Sequence, residues 1–346
     1  MEAETVNPMP GMPRYPTLDG WRAISILSVM SGHLFPLGPK EFRLNETFAA
    51  LGMAIFFTLS GFLITTTLLH RPSVGEFMIR RLCRIVPLAW VYTVVALTVA
   101  QAPASFYLAQ LLFYSNLPPF PLTEYTGHLW SLCVEMQFYF AIAAVFLFFG
   151  RRGLWSIPVV CLLVTMHRIQ QHEFVSIVTS VRVDEILAGG TLALVCNTPH
   201  LPWVRKFLTW VSPLALLPFA IASSNTLSEG LAYLRPYLVT GMVGASLFYA
   251  NKPAVTRHLE AKWLAYLAAI SYALYIFHPI VEWGWLGSGP KIVRYVKRVP
   301  ELAAVFALAH LSTFYFEDFW IRLGKQWSQR VRTVGDLRIG GAGERF

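Results

Sequence analysis

Ten stretches of about 17–25 predominantly apolar residues divide this chain, at 20–37, 47–69, 82–101, 128–149, 154–171, 180–196, 205–222, 232–250, 263–286 and 299–323. A helix needs roughly 20 such residues to cross about 30 Å of hydrocarbon, at about 1.5 Å per residue. The sequence therefore predicts an all-α fold: a polytopic membrane helix bundle of about ten transmembrane helices, with the lipid bilayer around it. The transmembrane domain is expected over 16–325, between an N-terminal tail at 1–15 and a C-terminal tail at 326–346. What remains is too short for a separate soluble domain.

Composition agrees. Only 14% of the 346 residues are charged, against about 25% in soluble domains. Such a chain cannot cover a water-facing surface, and disorder, coiled coil and collagen are excluded with it. Eleven Trp, 14 Tyr and 25 Phe suit the aromatic belts of a membrane protein. The net charge of +9 does not indicate nucleic acid, because no basic cluster alternates with aromatics on a polar domain. Cys83, Cys133, Cys161 and Cys196 lie in or beside apolar stretches without CxxC spacing. They read as small core residues, so neither a disulfide framework nor a metal site is expected.

An even number of spans puts both termini on one side. That side receives 19 of the 28 Lys and Arg, and the excess of positive charge assigns it to the cytoplasm. The first span is not expected to be cleaved, since its leader is Pro-rich and mixed in charge and its apolar run contains His33. The connection 102–127 lacks Lys and Arg and is aromatic and Pro-rich, as suits a half-buried cap on the outer side. Asn45-Glu46-Thr47 is a glycosylation sequon, a triplet common by chance.

Titratable residues inside spans are costly, so each is a functional candidate. Arg22 and His33 share the first span, eleven residues and so about 16 Å apart along one helix. Arg22 is placed near the cytoplasmic end and His33 past mid-depth. A neutral imidazole there can take a hydroxyl proton near neutral pH; a packing histidine is the plainer alternative. Arg80, Arg81 and Arg84 open the third span, with Arg81 and Arg84 sharing a face at i and i+3. They suit either a positive-inside anchor or a clamp on phosphate oxygens. His128, Ser131 and Glu135 line one face of the fourth span, next to Trp130 and Gln137. Their choice lies between interhelical hydrogen bonding and chemistry. Arg182, Asp184, Ser271, Tyr272, Tyr275, Glu317 and Asp318 read mostly as structural, whereas His278, before Pro279, is placed to line a cavity at the outer end.

Taken in order, these segments resemble the acyltransferase family 3 membrane proteins. Arg22 and His33 match that family's Arg-x10-His, and FFTLSGFLIT looks like its second-span signature. RRLCRIVPLAW is similar to its Arg-x-x-Arg region, and HLWSLCVEMQFYF to its His-x-Trp-Ser and Glu-x-Gln-Phe-Tyr stretch. RVDEILAGG, ISYALYIFHP and FYFEDFW resemble its later segments, so the likeness runs from about residue 15 to 325. Two departures stand out. Met136 occupies the place of the family's second Glu, and FEDFW lacks the Pro that often follows its Glu. The last span is therefore given a structural role.

The resemblance implies transfer of a short acyl group, acetyl by default, from acyl-CoA to a hydroxyl on a sugar, glycolipid or similar acceptor. Acyl-CoA is then a co-substrate, with no cofactor bound permanently. His33 is expected to act as general base, with Glu135 holding its tautomer. Arg81 and Arg84 are expected to hold the nucleotide phosphates, with Arg22 and Arg80 as lesser contributors. His128, Trp130, Ser131 and His278 are expected to position substrate. The implied location is the bacterial cytoplasmic (inner) membrane, and the sequence carries no signal of oligomeric state. Ten spans and polar residues near mid-depth also fit a transporter or flippase of an amphiphilic sugar or lipid. The inverted repeats and paired broken helices common in transporters are not visible here.

Overall fold

The computed structural model describes residues 15–70, 73–198, 201–249 and 257–340, with side chains to 331. The expected tail residues 1–14 and 341–346, and Arg71 and Lys252 of the charge count, lie outside the described residues. Among those described, the chain is helical and contains no strand.

The first three helices build the centre. Helix α1 (Pro16–Leu34) starts with Pro16 in its first turn, where a missing N–H costs nothing. It is followed by α2 (Leu44–His70), which is mean-hydrophobic throughout, and by α3 (Val74–Val99). The Ser73 hydroxyl caps α3 by accepting the Glu76 N–H at 3.3 Å. Sequence periodicity puts the third span at 82, but that cap starts the helix eight residues sooner, at Val74. All three clustered arginines therefore lie inside a helix. A short α4 (Ala104–Leu111) lies in the 102–127 connection, and α5 (Trp130–Gly153) follows. Asn116 is buried there, and its amide donates to the Ile177 carbonyl and to Thr179 Oγ1. Gln137 donates to the Phe113 carbonyl and to Asn116 Oδ1, fixing the connection against α5.

The next helices are shorter: α6 (Ser156–Gln171), a single turn α7 (Thr179–Arg182), α8 (Asp184–Asn197), α9 (Pro202–Trp210), α10 (Pro213–Ser224), a turn α11 (Glu229–Ala232) and α12 (Arg235–Phe248). Last come α13 (Lys262–Phe277), α14 (Lys291–Leu311) and α15 (Asp318–Gly340). A π-turn at Ser312–Glu317 joins α14 to α15. It carries the buried Glu317 carboxylate, which accepts from Thr313 Oγ1 at 3.0 Å and Ser312 Oγ at 3.2 Å.

Among the described residues, five helical stretches are long and apolar enough to cross a membrane: Lys40–His70, Val74–Val99, Gly127–Gly153, Lys262–Glu282 and Lys291–Val331. The pair α9 and α10, bent by 90°, makes a sixth if taken together. The expected spans at 154–171, 180–196 and 232–250 correspond to helices of 16, 14 and 14 residues. At about 1.5 Å per residue, 14 residues reach roughly 21 Å, short of the hydrocarbon thickness. Apolarity alone does not separate a membrane span from a buried helix: α8 and α12 owe theirs partly to burial against α2, whereas α6 packs on α8 and leaves most of its apolar side chains exposed.

Helix α2 is the hub, packed between α1 and α8. Small residues permit the close approach. A Cβ on Gly61 would meet the Ile186 carbonyl oxygen at 1.8 Å, and one on Gly189 would meet the Thr58 carbonyl oxygen at 2.0 Å. Both obstacles are backbone, so neither can rotate away. Between membrane helices, packing of this kind supplies much of the association energy. Gly61→Ala is expected to cost about 3 kcal/mol through forced separation of α2 and α8, read as a lower midpoint of thermal unfolding in detergent. An unchanged midpoint would show that the crossing relaxes freely.

Candidate active site

One cavity of about 70 Å³ opens between α1, α2, α3, α5 and α13. Arg22 of α1 and Arg81 and Arg84 of α3 line it, together with Ser60, Glu135, Tyr139, Tyr272 and Tyr275. The i and i+3 spacing of Arg81 and Arg84 delivers both to the same wall. Arg81 lies 5.9 Å from the Tyr139 ring centroid, within range of a cation–π contact. Arg22 is 3.8 Å from Asp19, a partly exposed pairing one turn away. Arg80, one position round the helix, is directed elsewhere. It bridges to Glu76 at 2.6 Å and donates through Nε to Ser328 Oγ at 3.0 Å, which ties α3 to α15.

Glu135 faces this cavity as well. Its Oε1 accepts from Ser60 Oγ and from Tyr139 Oη, each at 2.6 Å. These bonds commit the carboxylate to the arginine end, and the neighbour of the His33 ring is His278. The expected pairing of Glu135 with His33 is replaced for a simple reason: Glu135 sits seven residues, about 10 Å, along the helix from His128. It is His128 that lies at the level of His33.

The histidines form a second group, at the far end of α1. The His33 and His278 ring centroids are 5.4 Å apart, and so are those of His128 and His278. His33 is exposed on its outer side, whereas His278 is buried. His278 Nδ1 lies 2.8 Å from the Tyr275 carbonyl oxygen. Both ring nitrogens of His128 are buried and have no protein partner. Asn45, of the sequon, fixes the helix end beside His33. Its amide donates to the carbonyls of Gly32 and Phe35, and its Oδ1 accepts the Leu37 N–H.

Tyr275 stands between the two groups. It lines the arginine cavity, and its ring stacks on Phe56 with 7° between the planes. Its hydroxyl donates to the His128 carbonyl and accepts from Ser131 Oγ at 2.6 Å. Ser131 is thereby a support for this tyrosine. Trp130 packs edge-on against Phe57 and carries the Arg182 guanidinium 5.7 Å above its ring. Ser60, Tyr139 and Phe56 line the site without having been given a role from sequence, although each lies in a stretch that carries the family likeness, FFTLSGFLIT or HLWSLCVEMQFYF. Tyr139 follows Glu135 at i+4 on the same face, whereas only the fold brings Ser60 and Phe56, from another helix, against Glu135 and Tyr275.

A helical membrane protein with half-buried arginines at one end of a helix and a histidine group at the other defines a class. The chain belongs to acyltransferase family 3: the model of its acyltransferase domain matches residues 15–318. OatA of Listeria monocytogenes, a peptidoglycan O-acetyltransferase, is 26% identical over 356 aligned positions, covering 87% of this chain and 55% of OatA. Nodulation protein 10 of Rhizobium leguminosarum bv. viciae is 24% identical over 286 positions, covering 69% of this chain and 75% of that protein. The chain thus spans about half the length of OatA. No solved structure matches it.

Proposed function

We propose that this chain transfers a short acyl group, acetyl by default, from acyl-CoA to a hydroxyl of a sugar or glycolipid acceptor. The observation that carries the reading is the division of α1: Arg22 joins Arg81 and Arg84 on one cavity, and His33 joins the histidine group at the other end. Three guanidiniums with one carboxylate among them favour a polyanion. The CoA phosphates bind there, and the pantetheine arm carries the thioester along the bundle toward His33. A cavity of about 70 Å³ holds a few waters, so the guanidinium side chains swing aside when nucleotide binds. His33, open on its outer side, removes the proton of an acceptor hydroxyl as its oxygen attacks the thioester carbonyl. The C–S bond breaks, and the departing thiolate recovers the proton.

The orientation is part of the proposal. Both termini lie in the cytoplasm, about ten crossings are made, and tilt or local thinning of the bilayer accommodates the short helices. The arginine cavity then faces the compartment in which acyl-CoA is made, and the histidines face the envelope, in a bacterial inner membrane. The names of the relatives support O-acetylation of a hydroxyl-bearing polymer.

Arg84→Ala tests the donor site. Hydrogen bonds to a charged group contribute about 1.5–3 kcal/mol, so acetyl-CoA affinity is expected to fall about tenfold or more. The dissociation constant of the purified protein for CoA is the measurement. An unchanged constant would refute the phosphate clamp.

A further inference from the structure

We infer that His278 orients His33 and shares its charge during transfer, the part that sequence reasoning gave to Glu135. The inference rests on His33 as general base. His278 reaches His33 from α13, where the helix ends and a 3-10 turn begins at His278. Its Nδ1 lies 2.8 Å from the Tyr275 carbonyl oxygen. A carbonyl only accepts, so Nδ1 carries the proton and the neutral ring offers a bare lone pair at Nε2. With ring centroids 5.4 Å apart and planes tilted by 39°, the two rings lie close enough for one water to join a nitrogen of each.

The surroundings hold this arrangement. His278 is 2% exposed and is flanked by His128 at 5.4 Å and by Tyr275 at 5.7 Å between centroids. Glu282, whose charge also reaches His33, is exposed and paired with Arg298 at 3.2 Å. Among the described residues, the ring that faces His33 is therefore a neutral acceptor whose tautomer is set by the backbone. One nitrogen of His33 donates to His278 Nε2 through a bridging water. The other is left free of its proton and turned to the acceptor.

In the transfer step the acceptor oxygen bonds to the thioester carbon, and its proton moves to the free nitrogen of His33. While His33 is an imidazolium, its second N–H stays joined to His278 Nε2 through that water. The C–S bond then breaks and the thiolate takes the first proton back, which returns both rings to neutrality. His278 touches neither substrate, so it is a positioning residue.

The test uses the full chain in detergent, acetyl-CoA, and an extract of envelope lipids and glycans as acceptor, with release of free CoA thiol as readout. His278→Asn keeps a donor for the Tyr275 carbonyl but has no atom at the Nε2 position. Its kcat is expected to fall about 10- to 100-fold, with KM for acetyl-CoA within about twofold of wild type. His278→Gln places an amide oxygen near Nε2 and is expected to recover about tenfold over His278→Asn. Because the two histidines act as a unit, His33→Ala/His278→Asn should be no slower than His33→Ala alone. Wild-type kcat in His278→Asn, or effects that multiply in the double variant, would overturn the inference while leaving His33 in place. Near-normal turnover in His33→Ala would remove the general-base reading itself, and this inference with it.

Discussion

His33→Ala is expected to lower acyl transfer by about 10²–10⁴-fold, the usual contribution of a positioned general base. The protein should fold and bind CoA as before. The imidazole lies at the mouth of the bundle, exposed on its outer side, so its loss leaves no cavity in the core. The hydrogen bonds that fix this end of α1 run through Asn45 to backbone carbonyls and do not involve the His33 ring. The arginine cavity is about 16 Å further along the helix. A loss of turnover with unchanged thermal unfolding and unchanged CoA affinity would locate the effect in the chemistry. A variant that turns over near-normally would remove His33 from the reaction.

Glu185→Ala is expected to be the most destabilising single change, at about 3–5 kcal/mol, because it strands buried charges. Glu185 is 0% exposed, and its Oε1 accepts from Arg182 at 2.8 Å and from Arg235 at 2.6 Å. Beside it, Asp184 pairs with the buried Arg168. Two carboxylates thus hold three guanidiniums where α6, α8 and α12 meet. Removal of Glu185 leaves Arg182 and Arg235 facing each other without a counter-charge. The damage would extend to the site, since Arg182 also rests on the rings of Phe57 and Trp130, at 5.8 and 5.7 Å. Thermal unfolding in detergent checks this. A loss below about 1 kcal/mol would mean that water reaches the cluster and solvates the freed arginines.

These cases show what the sequence could reveal. Helical class and membrane setting were legible because hydropathy over about 20 residues reports directly on the solvent. The convergence of Arg81 and Arg84 was legible because both lie on one helix at i and i+3. Arg80 was not separable from them by residue type; only the helix register, turned by about 100° per residue, sends it to Glu76 and Ser328. The pairing of His33 with His278 was hidden because α1 and α13 meet only in three dimensions. Each residue's place near the C-terminal end of its helix was readable, but their contact was not. Glu135 misled for the converse reason. Its chemistry suited a partner for His33, but its depth in α5 matched Ser60 and the arginines. The short lengths of α8 and α12 were not legible because burial in protein and burial in lipid leave the same apolar signature.

The most direct test of the central claim is acetyl transfer by the purified chain. Detergent-solubilised protein would be incubated with acetyl-CoA labelled in the acetyl group and with an extract of envelope glycans and lipids. The account predicts that label appears in an alkali-labile ester on the acceptor fraction, with one CoA thiol released per ester formed, and that both signals are lost in His33→Ala. Binding of acetyl-CoA without ester formation in any acceptor fraction, or equal ester formation by wild type and His33→Ala, would contradict it.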